Sequence, residues 1–227
     1  MPPKSPLGPG ARDVALRLYE RRLPLGLGVL ALLLAISGWW GYRTWRMRQE
    51  EAAQALMTKA LTAVEPLPKT GDAGKPVEGR SGQLEAALQV LVQIRKEYPS
   101  SQTAEHALLQ IGNISYHRGE PEKALQAYQE HLEQYPRGSW VFLAGLGKGY
   151  TLEALGRWEE AAGTFRSLGD RYKDSPISPE ALMGLARCLR QLDHRPEAME
   201  VYRRVIEEHG GTAWARQAEE VMGAVDR

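Results

Sequence analysis

The chain has 227 residues, 43% hydrophobic and 25% charged, which is ordinary for a globular protein and long enough for one domain with a sizeable core. A formal net charge of +1 argues against a dedicated nucleic-acid binder, and a single cysteine, Cys188, excludes any internal disulfide framework. The charge is unevenly spread: Lys4, Arg12, Arg17, Arg21 and Arg22 outweigh Asp13 and Glu20 before residue 43, so a basic head precedes a slightly acidic body.

Residues 1–22 read as a basic, Pro-rich tail. Within it Ala11, Val14, Ala15 and Leu18 follow helical spacing beside the arginines, so the segment either lies on an anionic leaflet or is a solvated tail with a short nascent helix. Residues 23–42, LPLGLGVLALLLAISGWWGY, carry no charge. A helix of that length rises about 30 Å, the thickness of a bilayer's hydrocarbon core, so this segment is expected to be a transmembrane helix. Arg21 and Arg22 flank one end, and Arg43, Arg46 and Arg48 the other, while Trp39, Trp40, Tyr42 and Trp45 would lie at the headgroup boundary. Ala35-Ile36-Ser37 loosely imitates a processing site, but the two bulky Trp residues beyond it favour retention over cleavage. The basic excess before the span places the N-terminus inside and exports the body.

Across residues 43–66 a juxtamembrane amphipathic helix is predicted, since Ala53, Leu56, Met57, Ala60, Leu61 and Val64 form one stripe and Pro66 ends it. Residues 67–82 are rich in Gly and Pro and read as a flexible loop. From 83 to 227 the pattern is helix, turn, helix, with helices predicted at 83–97, 102–118, 121–134, 139–155, 158–171, 178–192, 195–208 and 212–225, the last a cap. Pro121 and Pro196 suit first-turn positions, and Gly119 and Gly156 suit left-handed helix ends. The same stretch repeats with a step of 37 residues: Tyr98-Pro99 returns as Tyr135-Pro136 and as Tyr172. Ala87, Ala124, Ala161 and Ala198 keep that step, as do Leu91, Tyr128, Phe165 and Tyr202. Such a period marks stacked units that each depend on their neighbours to bury an apolar face. Small residues (Ala107, Gly112; Ala144, Gly149; Ala181, Ala186) would let paired helices approach while the aromatics fill the space between pairs.

The order Gly112, Ala124, Tyr128, Pro136 resembles the tetratricopeptide repeat, with Gly149, Ala161 and Phe165, then Ala186, Ala198 and Tyr202, as further copies. The resemblance implies an α-solenoid of tetratricopeptide-like helix pairs, so with the span at 23–42 the expected fold is all-α: one N-terminal transmembrane helix followed by that solenoid. A second resemblance covers residues 20–65, where the basic tail, the span ending Gly38-Trp39-Trp40-Gly41-Tyr42-Arg43-Thr44-Trp45 and the Ala-rich helix look like the single-pass ancillary subunits of the Sec translocon. That likeness implies a bacterial inner-membrane protein with a cytoplasmic N-terminus and a periplasmic repeat domain that meets the translocon or a periplasmic chaperone. The Tyr-Pro turns also resemble envelope-assembly and Tol-associated repeat proteins, which lack such a span; an envelope or division scaffold is the alternative.

Chemistry is sparse. Gly145-Leu146-Gly147-Lys148-Gly149 invites a phosphate-loop reading, but Phe142 stands five positions before Gly147, Gly149 follows the lysine, and no strand precedes it. Close helix packing accounts for the glycines. Lys148 falls where the other copies have Ile111 and Leu185, so it either snorkels to an edge or pairs with a carboxylate. The histidines form no metal frame, and Cys188 shares its register with Ile114 and Thr151, which suits a buried core residue. No enzyme, cofactor, metal site or small-molecule substrate is expected. The repeat resemblance places the first helix of each pair on an inner wall, exposing His106, Leu109, Asn113 and Tyr116, then Leu143, Leu146, Tyr150 and Glu153, then Glu180, Met183, Arg187 and Arg190. These either form a protein-binding groove or, for Leu109, Leu146 and Met183, belong to the core. The lysine-and-asparagine carboxylate clamp of cytosolic relatives is matched only at Asn113, with Leu109, Gly147 and Gly184 at other clamp places.

Overall fold

The computed structural model describes residues 9–64 and 81–225; the side chains of 9–27, Val29, Ala63 and Val225 lie outside that description. The tail at 1–8, the stop at Pro66 and most of the predicted loop also fall outside it. Among the described residues every regular element is a helix: α1 (Pro9–Val64), α2 (Ser81–Glu97), α3 (Gln102–His117), α4 (Pro121–Gln134), α5 (Val141–Ala154), α6 (Trp158–Arg171), α7 (Ser178–Gln191), α8 (Arg195–Glu208) and α9 (Ala213–Val225). From α2 onward the boundaries agree with the sequence reading to within two residues. Pro121 and Pro196 sit in first turns as expected, and so does Pro179. Gly119 and Gly156 take φ of 72° and 70°, and in the next copy Asp193 adopts φ 60° at the same step, a conformation that Asp tolerates better than most side chains.

The chain divides into two compact units, Met1–Gln49 and Glu50–Arg227. In the first, Leu32, Leu34, Trp39, Trp40 and Trp45 are all more than half exposed, and the Arg43 guanidinium lies 5.4 Å over the Trp39 ring. Among the described residues no helix is long and apolar enough to cross a membrane. The predicted span at 23–42 begins in residues whose side chains lie outside the description.

In the second unit, the end of α1 serves as the first helix of the first pair. Its stripe of Ala53, Met57, Ala60 and Val64 is buried with Leu84, Ala87, Leu91 and Ile94 of α2 and with Ala107 and Ile114 of α3. Glu50 fixes this pairing at its polar end. Its Oε2 accepts the Gln102 N–H (2.8 Å) and its Oε1 accepts the Thr103 N–H (3.2 Å) and hydroxyl (2.5 Å), placing a carboxylate on the amides that open α3. Ser101 completes the cap by accepting the Ala104 N–H at 3.0 Å.

Beyond α3 the stack is held by aromatic rings set between glycines. A Cβ built on Gly112 would stand 2.6 Å from Tyr128, and one on Gly147 would meet the same ring from the following pair. Phe165 repeats the arrangement one step later, between Gly149 (2.5 Å) and Gly184 (2.8 Å). Each ring of a second helix thus inserts between the backbones of two successive first helices. Ala124, Ala161 and Ala198, no more than 1% exposed, keep the second helices close enough for this. The last ring, Tyr202, is buried as well, and α9 covers the end of the core with Ala218.

His131 is fully buried at the end of α4, with neither ring nitrogen hydrogen-bonded. The Glu105 carboxylate is 3.6 Å away and already accepts the Trp140 N–H, so burial dominates and pushes the imidazole down to about 4.

Two predictions follow from this packing. Gly112→Ala and Gly147→Ala each crowd the Tyr128 ring and should cost about 1–3 kcal/mol in urea unfolding, whereas Gly163→Ala, which meets no atom, should not destabilise. Because His131 binds its proton more weakly folded than unfolded, its contribution is complete above its unfolded pKa. That contribution should fall by up to about 3 kcal/mol as pH drops from about 6.5 to 4. In urea titrations across that range His131→Leu should flatten the slope, and an unchanged slope would show that the imidazole does not couple to folding.

Candidate protein-binding wall

The backbones of first helices of successive pairs approach one another closely, α3 with α5, α5 with α7 and α7 with α9, while those of α4, α6 and α8 stand farther apart. The closer-spaced row lies inside the curve of a stack, so α3, α5 and α7 form the inner wall.

At its N-terminal end the His106 ring stacks on Trp140 at 4.4 Å, and burial lowers its pKa; its Nε2 lies 2.9 Å from Gln110 Nε2, an amide donor. Gln110 Oε1 accepts from Asn113 Nδ2 (3.2 Å), and Asn113 Oδ1 accepts the Tyr128 hydroxyl (2.7 Å). Asn113, the remaining clamp position, is therefore engaged in bracing the core ring. Leu109 and Tyr116 are buried.

In the middle, Leu143 is 46% exposed, whereas Leu146 and Met183 are buried. The option that Leu109, Leu146 and Met183 belong to the core is the one the structure takes. Tyr150, set edge-on to Phe165, donates its hydroxyl to Glu180 Oε1 at 3.0 Å. Burial and the Glu180 carboxylate raise its pKa, keeping the phenol protonated. Glu153 accepts two hydrogen bonds from Arg187, at 3.0 and 2.8 Å, and the guanidinium lies 5.5 Å over the Tyr150 ring. Burial works against the charge on Arg187, and Glu153 outweighs it. Toward the C-terminal end Arg187, Arg190, Gln191 and Arg195 border a cavity of about 590 Å³. Arg195 pairs with Asp193 at 3.1 Å, and Arg190 is exposed.

The structure thus brings Tyr150, Glu153, Glu180 and Arg187 into one network across α5 and α7, and holds His106 and Asn113 in another on α3. Trp140, Gln110 and Gln191 complete the wall, and Arg195 borders the same cavity from α8; no motif in the sequence marks these four. Trp140 lies in the turn before α5, outside the helical register. Cys188 is buried beside Glu153 (3.4 Å), and burial and that carboxylate raise its pKa, the opposite of what a nucleophile needs. Among the described residues no His, Cys, Asp and Glu group could hold a metal ion.

Cys188 should resist maleimide in the folded chain near neutral pH and become reactive in step with urea unfolding. Rapid labelling without denaturant would show that the α5–α7 contact opens in the native state.

The Tetratricopeptide repeat-like domain family matches residues 23–147, and the Tetratricopeptide repeat family matches residues 146–213. The first match begins at the apolar run and takes in the end of α1. Among solved structures, a tetratricopeptide repeat protein from Parabacteroides merdae ATCC 43184 is similar at a TM-score of 0.57 and 18% identity, over 74% of this chain and 58% of that one. That likeness is one of fold. No curated protein matches the chain.

Proposed function

Since the chain belongs to the tetratricopeptide repeat-like domain family, we propose that it is a membrane-anchored adaptor: α1 fixes it in a bacterial inner membrane and its exported repeats bind proteins at or near the translocation machinery. The observation that carries the adaptor reading is the inner wall. It presents an aliphatic group (Leu143), amides (Gln110, Asn113) and guanidinium groups (Arg187, Arg190) over three successive helices, a breadth suited to a polypeptide. Stacked helix pairs of this kind serve as interaction scaffolds.

Anchoring is supported by the uncharged run at 23–42 and by the exposure of Leu30, Leu32 to Leu34, Ile36, Trp39 and Trp40, which water disfavours and lipid does not. The basic residues before the run favour a cytoplasmic N-terminus. A translocon subunit or periplasmic chaperone as partner rests on the likeness of residues 20–65 to ancillary translocon subunits.

Two experiments check this reading. The chain should stay with membranes through carbonate extraction, and a Gly71→Cys variant in intact cells should react with an impermeant maleimide, with buried Cys188 silent. Release by carbonate, or protection of the new thiol until the cells are permeabilised, would refute the anchor or its orientation. Benzoylphenylalanine in place of Leu143 should crosslink to a translocon subunit or chaperone; a crosslink to an outer-membrane assembly or division protein would favour the envelope-scaffold reading instead.

A further inference from the structure

Successive second helices leave grooves on the outer side of the stack, each floored by the first helix between them. The 37-residue step allows equivalent positions to be compared. Two of the three grooves are braced by an ion pair across them. The α2/α4 groove has Leu108 and Ile111 on its floor, Gln126 on its wall, and the Arg95–Glu130 ion pair across it. The α6/α8 groove has Leu182 and Leu185 on its floor and Glu200 on its wall, and Arg204 reaches Asp170 across it at 2.8 Å.

The α4/α6 groove departs at every one of these positions. Its floor carries Gly145 and Lys148, its wall Gly163, and the places of Arg95 and Glu130 are taken by Leu132 and Ser167. Among the described residues no ion pair joins α4 to α6. The result is a cavity of about 530 Å³, against about 340 Å³ in the α2/α4 groove. Such volumes lie in the range of ligand-binding clefts.

Its charges are unbalanced. Lys148 is half-buried where sister copies hold Ile and Leu; it makes no ion pair or hydrogen bond among the described residues, but acts electrostatically on the Glu160 carboxylate. Among the described residues Arg171 donates to the Pro136 carbonyl (3.3 Å) and lies over Tyr172. The one carboxylate on the lining, Glu160, is held by Arg157 through hydrogen bonds of 2.6 and 2.7 Å. Glu160 is thus shared between Arg157, which holds it by hydrogen bonds, and Lys148, so the lining, with Lys148 and Arg171 against one carboxylate, keeps an excess of positive charge that an incoming carboxylate offsets.

We propose that the α4/α6 groove is a second docking site, which takes a short acidic segment of a partner polypeptide: its carboxylate meets Lys148 and Arg171, and its apolar side chains lie on Val141, Leu152 and Leu168. The site is separate from the inner wall.

The test uses the full-length chain in detergent and a displayed library of short random peptides, with the selected peptides then titrated by fluorescence anisotropy. Selected peptides should carry Asp or Glu, and should lose about tenfold or more in affinity when those residues become Asn or Gln. The same loss should follow Lys148→Leu and Gly163→Gln, which restore the residue types of the sister copies. Gly163→Gln is the decisive variant, because a Cβ there meets nothing within 4 Å and the thermal midpoint should not fall. Arg187→Ala and Arg190→Ala should leave this binding intact, so a defect in the inner wall is read separately. Peptides that bind Gly163→Gln undiminished, that tolerate loss of their carboxylates, or that depend on Arg187 or Arg190 would overturn the proposal.

Discussion

The repeat unit depends on a ring held between two glycines. Tyr128 and Phe165 each press on the backbone of their own pair and of the next, so a single side chain sets both the spacing within a pair and the step between pairs. In a stack whose units contact only their neighbours, that shared contact transmits stability along the chain. The Gly-x-Gly-Lys-Gly stretch of α5 has its explanation here: Gly147 admits the ring behind it, Gly149 the ring ahead, and Gly145 makes room for Leu168 and opens the outer groove.

Much of this was legible from sequence, because the repeat makes the same physical demand several times. Helices from α2 onward, the left-handed ends at Gly119 and Gly156, the close-packed alanines and the burial of Cys188 could all be read from register. What could not be read came from contacts between residues with no fixed spacing. Glu50 lies 52 residues before the amide it caps, and no pattern joins it to Gln102. Trp140 reaches His106 from a turn, and His131 is buried beside Tyr135 and Glu105. Asp193 takes its left-handed φ where the earlier copies have Gly119 and Gly156, so no glycine marks that turn in the sequence.

The candidate wall was legible in outline. Register located the helices that line it, but could not tell a side chain that faces the curve from one that turns into the pair beneath. Leu109, Leu146 and Met183 took the second course, while Leu143, one helical turn from Leu146, remained in the open. Departures from the repeat proved as informative as its regularities: Lys148, Gly145 and Gly163 break the pattern together in one groove, where each alone would pass for drift.

The central claim is that one ring couples two pairs, and a double-mutant cycle between Phe165→Leu and Gly184→Ala tests it most directly by urea unfolding. The smaller side chain should make room for the added methyl, so the double variant should be more stable than the sum of the single losses allows, by about 0.5–3 kcal/mol. Strict additivity would contradict the account, since it would mean that the ring and the glycine backbone of the following pair do not press on each other.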